Sequence, residues 1–321
     1  MNKTIILIAP VRALSSFGDL PAKTINFIES KGYKVVLPPN ASKYKDDLSA
    51  GGIFSSLSAK SRAEDFNWAF AQNPLAIISF VGGYNSNEIL SLIDLDVVSR
   101  SSSRFIHHSD TTVLGNAMWA MSGKKNWYGI SGINFTVDAT KQETWRSLEK
   151  LLDNHLSEIE PLKSFQDEFD SELEVSSGWS VIQPGEAQGI GIGGNIGTIS
   201  LLQGTKYMPK FRRPTILFIE DDDLSGEDTL FQFKRYLLSL IMQEGASENI
   251  KGILIGRFNK STNIDSKKIG LAIKALSDIE PWLAKIPIIS GVEFDHSLPK
   301  TLLPIGGEIK FNTSERKIYI I

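Results

Sequence analysis

Short β-branched runs alternating with longer amphipathic stretches constrain this chain more than any other feature. Ile5-Ile6-Leu7-Ile8-Ala9, Lys34-Val35-Val36-Leu37, Ala76-Ile77-Ile78-Ser79-Phe80-Val81 and Arg104-Phe105-Ile106-His107-His108 have the length and composition of buried strands. Between and after them, Pro21 to Lys31, Ser58 to Phe70 and Asp110 to Ser122 read as helices. In the last, Val113, Leu114, Ala117, Met118 and Met121 share one face. A strand–helix–strand rhythm of this kind implies βαβ units around a parallel sheet. We therefore expect an α/β domain over residues 1–156.

From Ser157 to Ser177 the apolar period fades into an acidic, serine-rich stretch containing Glu158, Glu160, Asp167, Glu168, Asp170, Glu172 and Glu174. It reads as a linker over residues 157–177. A second α/β domain follows over 178–321. Its expected elements are a strand at Thr215–Ile219, a helix from Thr229 to Glu244 and a strand at Gly252–Ile255. A helix near Lys267 to Leu276, a strand at Pro287–Ile289 and a closing strand pair between Lys310 and Ile321 complete it. Gly189-Ile190-Gly191-Ile192-Gly193-Gly194 spells G-x-G-x-x-G, but it lies mid-chain rather than after the first strand of a βαβ unit. The nearest following acid, Glu220, ends a strand of its own, so the segment reads as a loop or close-packing stretch, not a dinucleotide site.

Composition removes several classes of function. Hydrophobic residues are 41% and charged residues 22% of the 321, enough to bury a core. Lys plus Arg number 34 against 37 for Asp plus Glu, a net charge of −3 with no basic excess to track a phosphate backbone, so nucleic acid is not expected as a partner. The chain has no cysteine, which rules out disulfides, Cys-based zinc sites and a thiol nucleophile. A covalent nucleophile would have to be Ser, Thr, Asp, Glu or Lys. The five apolar residues Ile5 to Ala9 before Pro10 are too few for a signal-peptide core or a membrane span, so a cytoplasmic location without a membrane partner is expected.

Ser109 falls at a strand-to-helix turn, where free N–H groups and the positive end of the helix dipole stabilise negative charge. This is the logic of a nucleophile elbow, although a Ser-Asp before an apolar helix is also an ordinary N-cap. Gly82-Gly83-Tyr84 follows a buried strand; two glycines there can turn backbone N–H groups toward a ligand oxygen or simply close a tight turn. Of four histidines, His155 lies on a polar helix face, and His107 and His108 point to opposite sides of one strand, so at most one of them faces a site at Ser109. His296 sits in a loop after a strand, the place for a general base. Glu220 opens the run Glu220-Asp221-Asp222-Asp223, which can hold Mg²⁺, orient a histidine, or form a solvated turn.

Taken in order, these pieces resemble the LD-carboxypeptidase family of serine peptidases, which includes the microcin C self-immunity proteins. The series covers nearly the whole chain. It runs through Ile8-Ala9-Pro10; Ser61-Arg62-Ala63-Glu64-Asp65 with Ala69-Phe70; Gly82-Gly83-Tyr84-Asn85-Ser86-Asn87; Ser109-Asp110-Thr111-Thr112; and Gly193-Gly194-Asn195 with Gly204-Thr205. It continues through Ile216-Leu217-Phe218-Ile219-Glu220-Asp221, Gly252-Ile253-Leu254-Ile255-Gly256-Arg257-Phe258, and Phe294-Asp295-His296 followed by Leu303-Pro304-Ile305-Gly306.

The resemblance implies a flavodoxin-like N-terminal domain with a parallel sheet, a smaller α/β C-terminal domain, and an active site in the cleft between them. It implies Ser109 as nucleophile, His296 as base and Glu220 as its orienting carboxylate, with the Gly83 and Asp110 N–H groups as oxyanion donors. It implies no metal, no cofactor and a homodimer, with a small peptide or peptidyl-nucleotide as substrate. Departures from the family pattern bear on the substrate. His107-His108 replaces the usual Gly-Tyr before Ser-Asp, Tyr128-Gly129-Ile130 replaces Tyr-Gly-Pro, and the acidic run after Glu220 is longer. Val81 stands where the peptidoglycan enzymes carry Arg, which is more like the microcin-immunity branch. Tyr84 and Trp179 are the expected substrate contacts; Trp179 would stack on a nucleobase or else pack at the domain hinge. Two substrates therefore compete, a microcin C-type peptidyl-nucleotide and a muropeptide tetrapeptide carrying a terminal D-Ala. Two other classes remain, a binding module that kept the fold without turnover and a Mg²⁺-dependent enzyme using Glu220 to Asp223.

Overall fold

In a computed structural model, residues 3–43, 56–167 and 172–321 are described. Five strands of the first half lie parallel: β1 (Thr4–Ile8), β2 (Lys34–Val36), β3 (Ala76–Ser79), β4 (Arg104–His107) and β5 (Asn126–Tyr128). Their order across the sheet, β2-β1-β3-β4-β5, is the flavodoxin-like one. The period of two shows in β1. Ile6 and Ile8 pack on Phe66, Phe70 and Val113 from helices α2 (Ala59–Ala71) and, after α3 (Leu95–Arg100), α4 (Thr112–Ser122). Ile5 and Leu7 face the other way, into a cluster with Ile28 of α1 (Leu20–Ser30) and Trp145 and Leu148 of α5 (Lys141–Leu152). Helices thus cover both faces of the sheet, and the loops after β1, β3 and β4 gather at its carboxyl edge, where open α/β sheets bind ligands.

The second half builds an eight-stranded sheet. Four neighbouring strands are parallel: β10 (Glu186–Asn195), β11 (Thr215–Glu220), β12 (Ile250–Gly256) and β13 (Ile288–Val292). Antiparallel β9 (Ser180–Gln183) closes one edge, and β16 (Glu308–Asn312) with β17 (Lys317–Ile320) extends the other. Helices α6 (Ile196–Ser200), α7 (Thr229–Ile241), α8 (Ala246–Asn249) and α9 (Ser266–Ser277) complete the domain. Ile192, Leu217, Ile219 and Phe233 belong to the same buried cluster as Phe66 and Val113, so one core runs through both domains. Hydrogen bonds from Asn195 N to Thr112 Oγ1 (3.0 Å) and from Asn116 Nδ2 to the Gly193 carbonyl (2.7 Å) tie β10 to the start of α4.

Three details differ from the sequence expectation. The 157–177 segment, of which residues 168–171 lie outside the described residues, is not a bare linker. β6 (Glu158–Ile159) pairs with β17, and β7 (Ser164–Asp167) pairs with β8 (Glu174–Val175) and β14 (Ser297–Leu298). Its acids find cations at the sheet edge, as Glu160 does with Lys317 at 2.9 Å. Second, β15 (Leu303–Ile305) leaves its own domain and joins the N-terminal sheet antiparallel to β5, so the chain crosses between the domains three times, once before β6 and once on each side of β15. Third, Gly189 to Gly194 is a strand rather than a loop, and the glycines serve close packing. A Cβ at Gly191 would lie 2.1 Å from the Pro304 carbonyl oxygen, and one at Gly193 would lie 1.6 Å from that of Phe218. Among the described residues no helix is long and apolar enough to cross a membrane.

Candidate active site

Ser109 follows β4 as the first residue of a single 3₁₀ turn that runs into α4. Its φ is 59°, a left-handed conformation that is costly for a residue with a Cβ and is found at sharp strand-to-helix turns that expose a side chain. Glu220 ends β11, and His296 lies in the turn between β13 and β14. The three side chains, far apart in sequence, form one chain of hydrogen bonds. His296 Nε2 is 3.1 Å from Ser109 Oγ, and His296 Nδ1 is 2.7 Å from Glu220 Oε2. Ser109 comes from one domain and its two partners from the other.

Tyr128 joins this chain from beneath. Its hydroxyl donates to Glu220 Oε1 at 2.6 Å and accepts the Ser109 backbone N–H at 3.0 Å. Glu220 is fully buried. Burial raises its pKa, but the His296 charge and hydrogen bond, with the Tyr128 hydroxyl, outweigh that and hold the carboxyl below its ordinary value. Burial, then the Glu220 charge, pushes the Tyr128 phenol far up, so it remains a donor. Chemically, an imidazole held this way can take a proton from the serine hydroxyl while the carboxylate balances the resulting charge.

The turn after β3 lies against the serine. A Cβ at Gly82 would sit 2.7 Å from Ser109 Cβ and 2.9 Å from its Oγ, and one at Gly83 would sit 2.4 Å from Val11 Cγ1, so both positions exclude a side chain. The backbone of Asp110 borders the same space, its N lying 3.4 Å from that Gly82 Cβ position. The Asp110 carboxylate points away and braces the turn, with Oδ2 accepting the N–H groups of Asn85 (3.0 Å) and Ser86 (2.8 Å). Arg62 is also buried and donates to the carbonyls of Pro10 and Asn85, holding the loops after β1 and β3 together. These contacts explain two of the motif residues as scaffolding.

A cleft of about 170 Å³ opens onto Ser109 and His296, and Tyr84 stands 54% exposed at its rim. His108 lines the cleft and His107 does not. The His108 ring lies 4.6 Å from that of His296, and burial with the nearby Lys300 charge keeps its pKa well below the usual value. His107 faces the opposite way, with Nε2 2.7 Å from Asn126 Oδ1, and burial lowers its pKa to about 4. His155 is exposed. Trp179 is a correction: it is 1% exposed, its indole N–H donates to the buried Glu293 at 2.7 Å, and it packs in the C-terminal core away from the cleft. The Asp221–Asp223 run also departs from a solvated loop, because Asp222 and Asp223 line the cleft.

Ligand atoms of His108, Glu220 and His296 lie within 4.8 Å of one another, a spacing a metal ion could use. Each already has a partner, however. Lys300 Nζ is 3.4 Å from His108 Nε2, and the ring nitrogens of His296 and the oxygens of Glu220 are committed as described. The residues therefore fit a hydrogen-bond network better than a cation. Nor do Glu220 and the three aspartates converge: Asp221 Oδ1 accepts the Asp222 N–H, and Asp223 Oδ2 the Ser261 hydroxyl. The reading from sequence passed over Arg12, Asn259 and Lys300, none of which carries a local motif.

Fold and site together define a class: a two-domain α/β protein with a Ser-His-Glu arrangement between its domains. The LD-carboxypeptidase N-terminal domain model matches residues 5–129 and the C-terminal domain model residues 188–311. This chain belongs to the LD-carboxypeptidase family, a family of hydrolases. The YocD protein of Bacillus subtilis (strain 168) is 35% identical over 305 residues, covering 92% of this chain and 87% of YocD. The structure of an MccF-like protein from Bacillus anthracis str. Ames superposes with a TM-score of 0.90 at 31% identity, covering 100% of this chain and 96% of that one. The microcin C7 self-immunity protein MccF of Escherichia coli is 26% identical over 313 residues, 92% of this chain and 86% of MccF. A structure of MccF in complex with aspartyl sulfamoyl adenosine shares the fold, with a TM-score of 0.85 at 23% identity over 100% and 96% of the two chains.

Proposed function

We propose that this protein is a serine amidase that cleaves an amide-type bond in a small peptidyl-nucleotide conjugate of the microcin C kind. The observation that carries the reading is the hydrogen-bond chain Ser109–His296–Glu220 at 3.1 and 2.7 Å. His296 removes the Ser109 proton as Oγ attacks the carbonyl carbon, Glu220 stabilises the imidazolium, and the Gly83 and Asp110 N–H groups receive the oxyanion. His296 then returns the proton to the leaving nitrogen, and water repeats the sequence to release the acyl group. The volume of the cleft, about 170 Å³, is below that of a typical drug-sized pocket and suits one amino-acid-sized group, with the rest of the conjugate passing Tyr84 toward solvent. Val81 at the cleft wall and the likeness to MccF and to the Bacillus anthracis MccF-like protein favour the conjugate over the muropeptide.

The homodimer belongs to the same reading and is checked by light scattering on the purified chain. The function is tested by mass spectrometry of products from aspartyl sulfamoyl adenosine and from a muropeptide tetrapeptide, with wild type and Ser109→Ala in parallel. Cleavage of the conjugate by wild type alone supports the proposal. Release of D-Ala alone assigns a muropeptide carboxypeptidase instead, and full activity of Ser109→Ala defeats the serine mechanism.

A further inference from the structure

A second cavity, of about 430 Å³, opens toward the carboxyl ends of β12 and β13 and shares no lining residue with the catalytic cleft. Open α/β sheets hold ligands at this edge. Ser290 of β13 lines the cavity from the same face of the strand that carries Ile288 toward Ile269 of α9. It is 2% exposed, yet its hydroxyl has no hydrogen-bond partner among the described residues. Ser180, its neighbour across the β9–β13 ladder, brings a second hydroxyl to the same wall. Arg257, just past the end of β12, supplies the charge. Its guanidinium stacks on the Phe165 ring at 4.0 Å. Its side-chain hydrogen bonds all run through Nη2, to Ser176 Oγ at 3.2 Å and, at 3.5 Å, to the Gly291 carbonyl and Glu293 Oε1. Nη1 is left without a partner among the described residues. Ser266, the first residue of the 12-residue helix α9, lines the cavity as well, and a first-turn N–H has no acceptor within its own helix. Asp265 is the only acid in the lining among the described residues, and its Oδ1 is already taken by the Lys268 N–H at 2.8 Å.

We propose that this cavity binds a phosphate oxyanion, free or as the phosphoryl group of a small phosphomonoester, on Arg257 Nη1, the Ser290 hydroxyl and the Ser266 N–H. The donors come from three separate elements, which suits a tetrahedral anion with oxygens on every side. A planar carboxylate pairs best with two parallel N–H groups of one guanidinium, and here one arm of that fork is already engaged by the protein. An ammonium group would meet the charge of Arg257. Glu293 is the acid nearest that charge; burial, against the Trp179 hydrogen bond and the Arg257 charge, lifts its pKa to about 7, so near neutral pH it offsets the guanidinium only in part. The cavity is larger than a bare phosphate needs and falls in the size range of small-molecule sites, with Phe258 and Ile269 offering apolar wall to an organic remainder. No residue of the site takes part in proton transfer at Ser109, so its failure would leave the amidase reading standing.

The test is calorimetric titration of the whole chain with inorganic phosphate and, separately, with phenyl phosphate. Wild type is expected to bind at least one of them with a Kd of about 1 mM or tighter. Arg257→Met should weaken that binding by about tenfold or more and Ser290→Ala by about fivefold, as losses of hydrogen bonds to a charged group do. Ser290→Ala deletes a hydroxyl that bonds nothing in the protein, so it carries the test even where Arg257→Met fails to fold. Arg12→Met removes the cation of the catalytic cleft and should leave the binding unchanged. Phenyl phosphate binding about fivefold tighter than phosphate assigns a phosphomonoester as the occupant, and equal or weaker binding assigns free phosphate. No binding of either probe at about 10 mM overturns the site, as does binding that Ser290→Ala leaves intact or that Arg12→Met abolishes.

Discussion

The Tyr128 hydroxyl bridges the two domains at the site, donating to Glu220 Oε1 at 2.6 Å while accepting the Ser109 backbone N–H at 3.0 Å. It fixes the position of the carboxylate relative to the serine and supplies one of the contacts that keep Glu220 ionised. Tyr128→Phe removes both bonds and leaves a buried carboxylate oxygen and a buried N–H without this partner. We expect kcat to fall by about 10–100-fold with KM little changed, because the loss acts on the orienting group and not on the cleft wall. Stability should drop by about 1–3 kcal/mol. Steady-state kinetics and urea unfolding of the variant check both.

Gly82→Ala tests how tightly the turn after β3 is set against the nucleophile. The new methyl would begin 2.7 Å from Ser109 Cβ and 2.9 Å from Oγ, so the serine or the turn must shift. A displacement approaching 1 Å breaks the 3.1 Å contact with His296, and misplacements of that size cost on the order of 100-fold in rate. Overpacking of this kind destabilises by about 1–3 kcal/mol. Activity that survives within a few-fold would show that the turn yields without moving Ser109.

What could be read from sequence was whatever local pattern dictates. The period of two in Ile5 to Ile8 and the helical face of Val113, Leu114 and Met118 placed the first sheet, because side chains there face a core that the pattern itself defines. Ser109, Glu220 and His296 were visible because each ends or follows a strand and the resemblance names them; the structure brings them into one hydrogen-bond chain. The Gly189 to Gly194 segment was not legible as a strand for a different reason, seen at Gly191 and Gly193. Glycine has low intrinsic strand preference, and what makes the segment a strand is the approach of Pro304 and Phe218 from elsewhere in the chain. Trp179 was misplaced for a similar reason, since its burial depends on Glu293, a partner 114 residues away. Asn259 and Lys300 carry no periodic or motif signal, and only the folded chain puts them beside the site.

Lys300 is fully buried behind His296, with Nζ 3.4 Å from His108 Nε2 and donating to the Asp295 carbonyl. Its charge is among the influences that lower the pKa of Glu220 and of His108. Lys300→Met keeps an unbranched apolar stem but removes that charge. With a buried positive charge gone from beside the His108–His296 pair, protonation of the base His296 costs less, so the acid limb of the kcat/KM–pH profile should move to higher pH, with a stability loss of about 1–3 kcal/mol from the orphaned carbonyl. An unmoved acid limb would restrict Lys300 to packing.

Asp221 follows Glu220 in the loop after β11 and accepts the Asp222 N–H at 3.1 Å. Burial, then the neighbouring Asp222 and Glu220 charges, pushes its pKa up to about 8. The folded value exceeds the ordinary carboxylate value of about 3.8, so between those limits the folded state binds the extra proton. Its contribution to stability is therefore complete below about pH 4 and is lost progressively as pH rises to about 8. Asn cannot ionise, so Asp221→Asn should stabilise the protein more at about pH 9 than at about pH 5. Each unit of the shift corresponds to about 1.4 kcal/mol, and a gain at the higher pH exceeding that at the lower by at least this amount is expected from urea unfolding. A gain that is the same at both pH values would show that Asp221 is ionised in the folded protein throughout, and that its neighbours tolerate the charge.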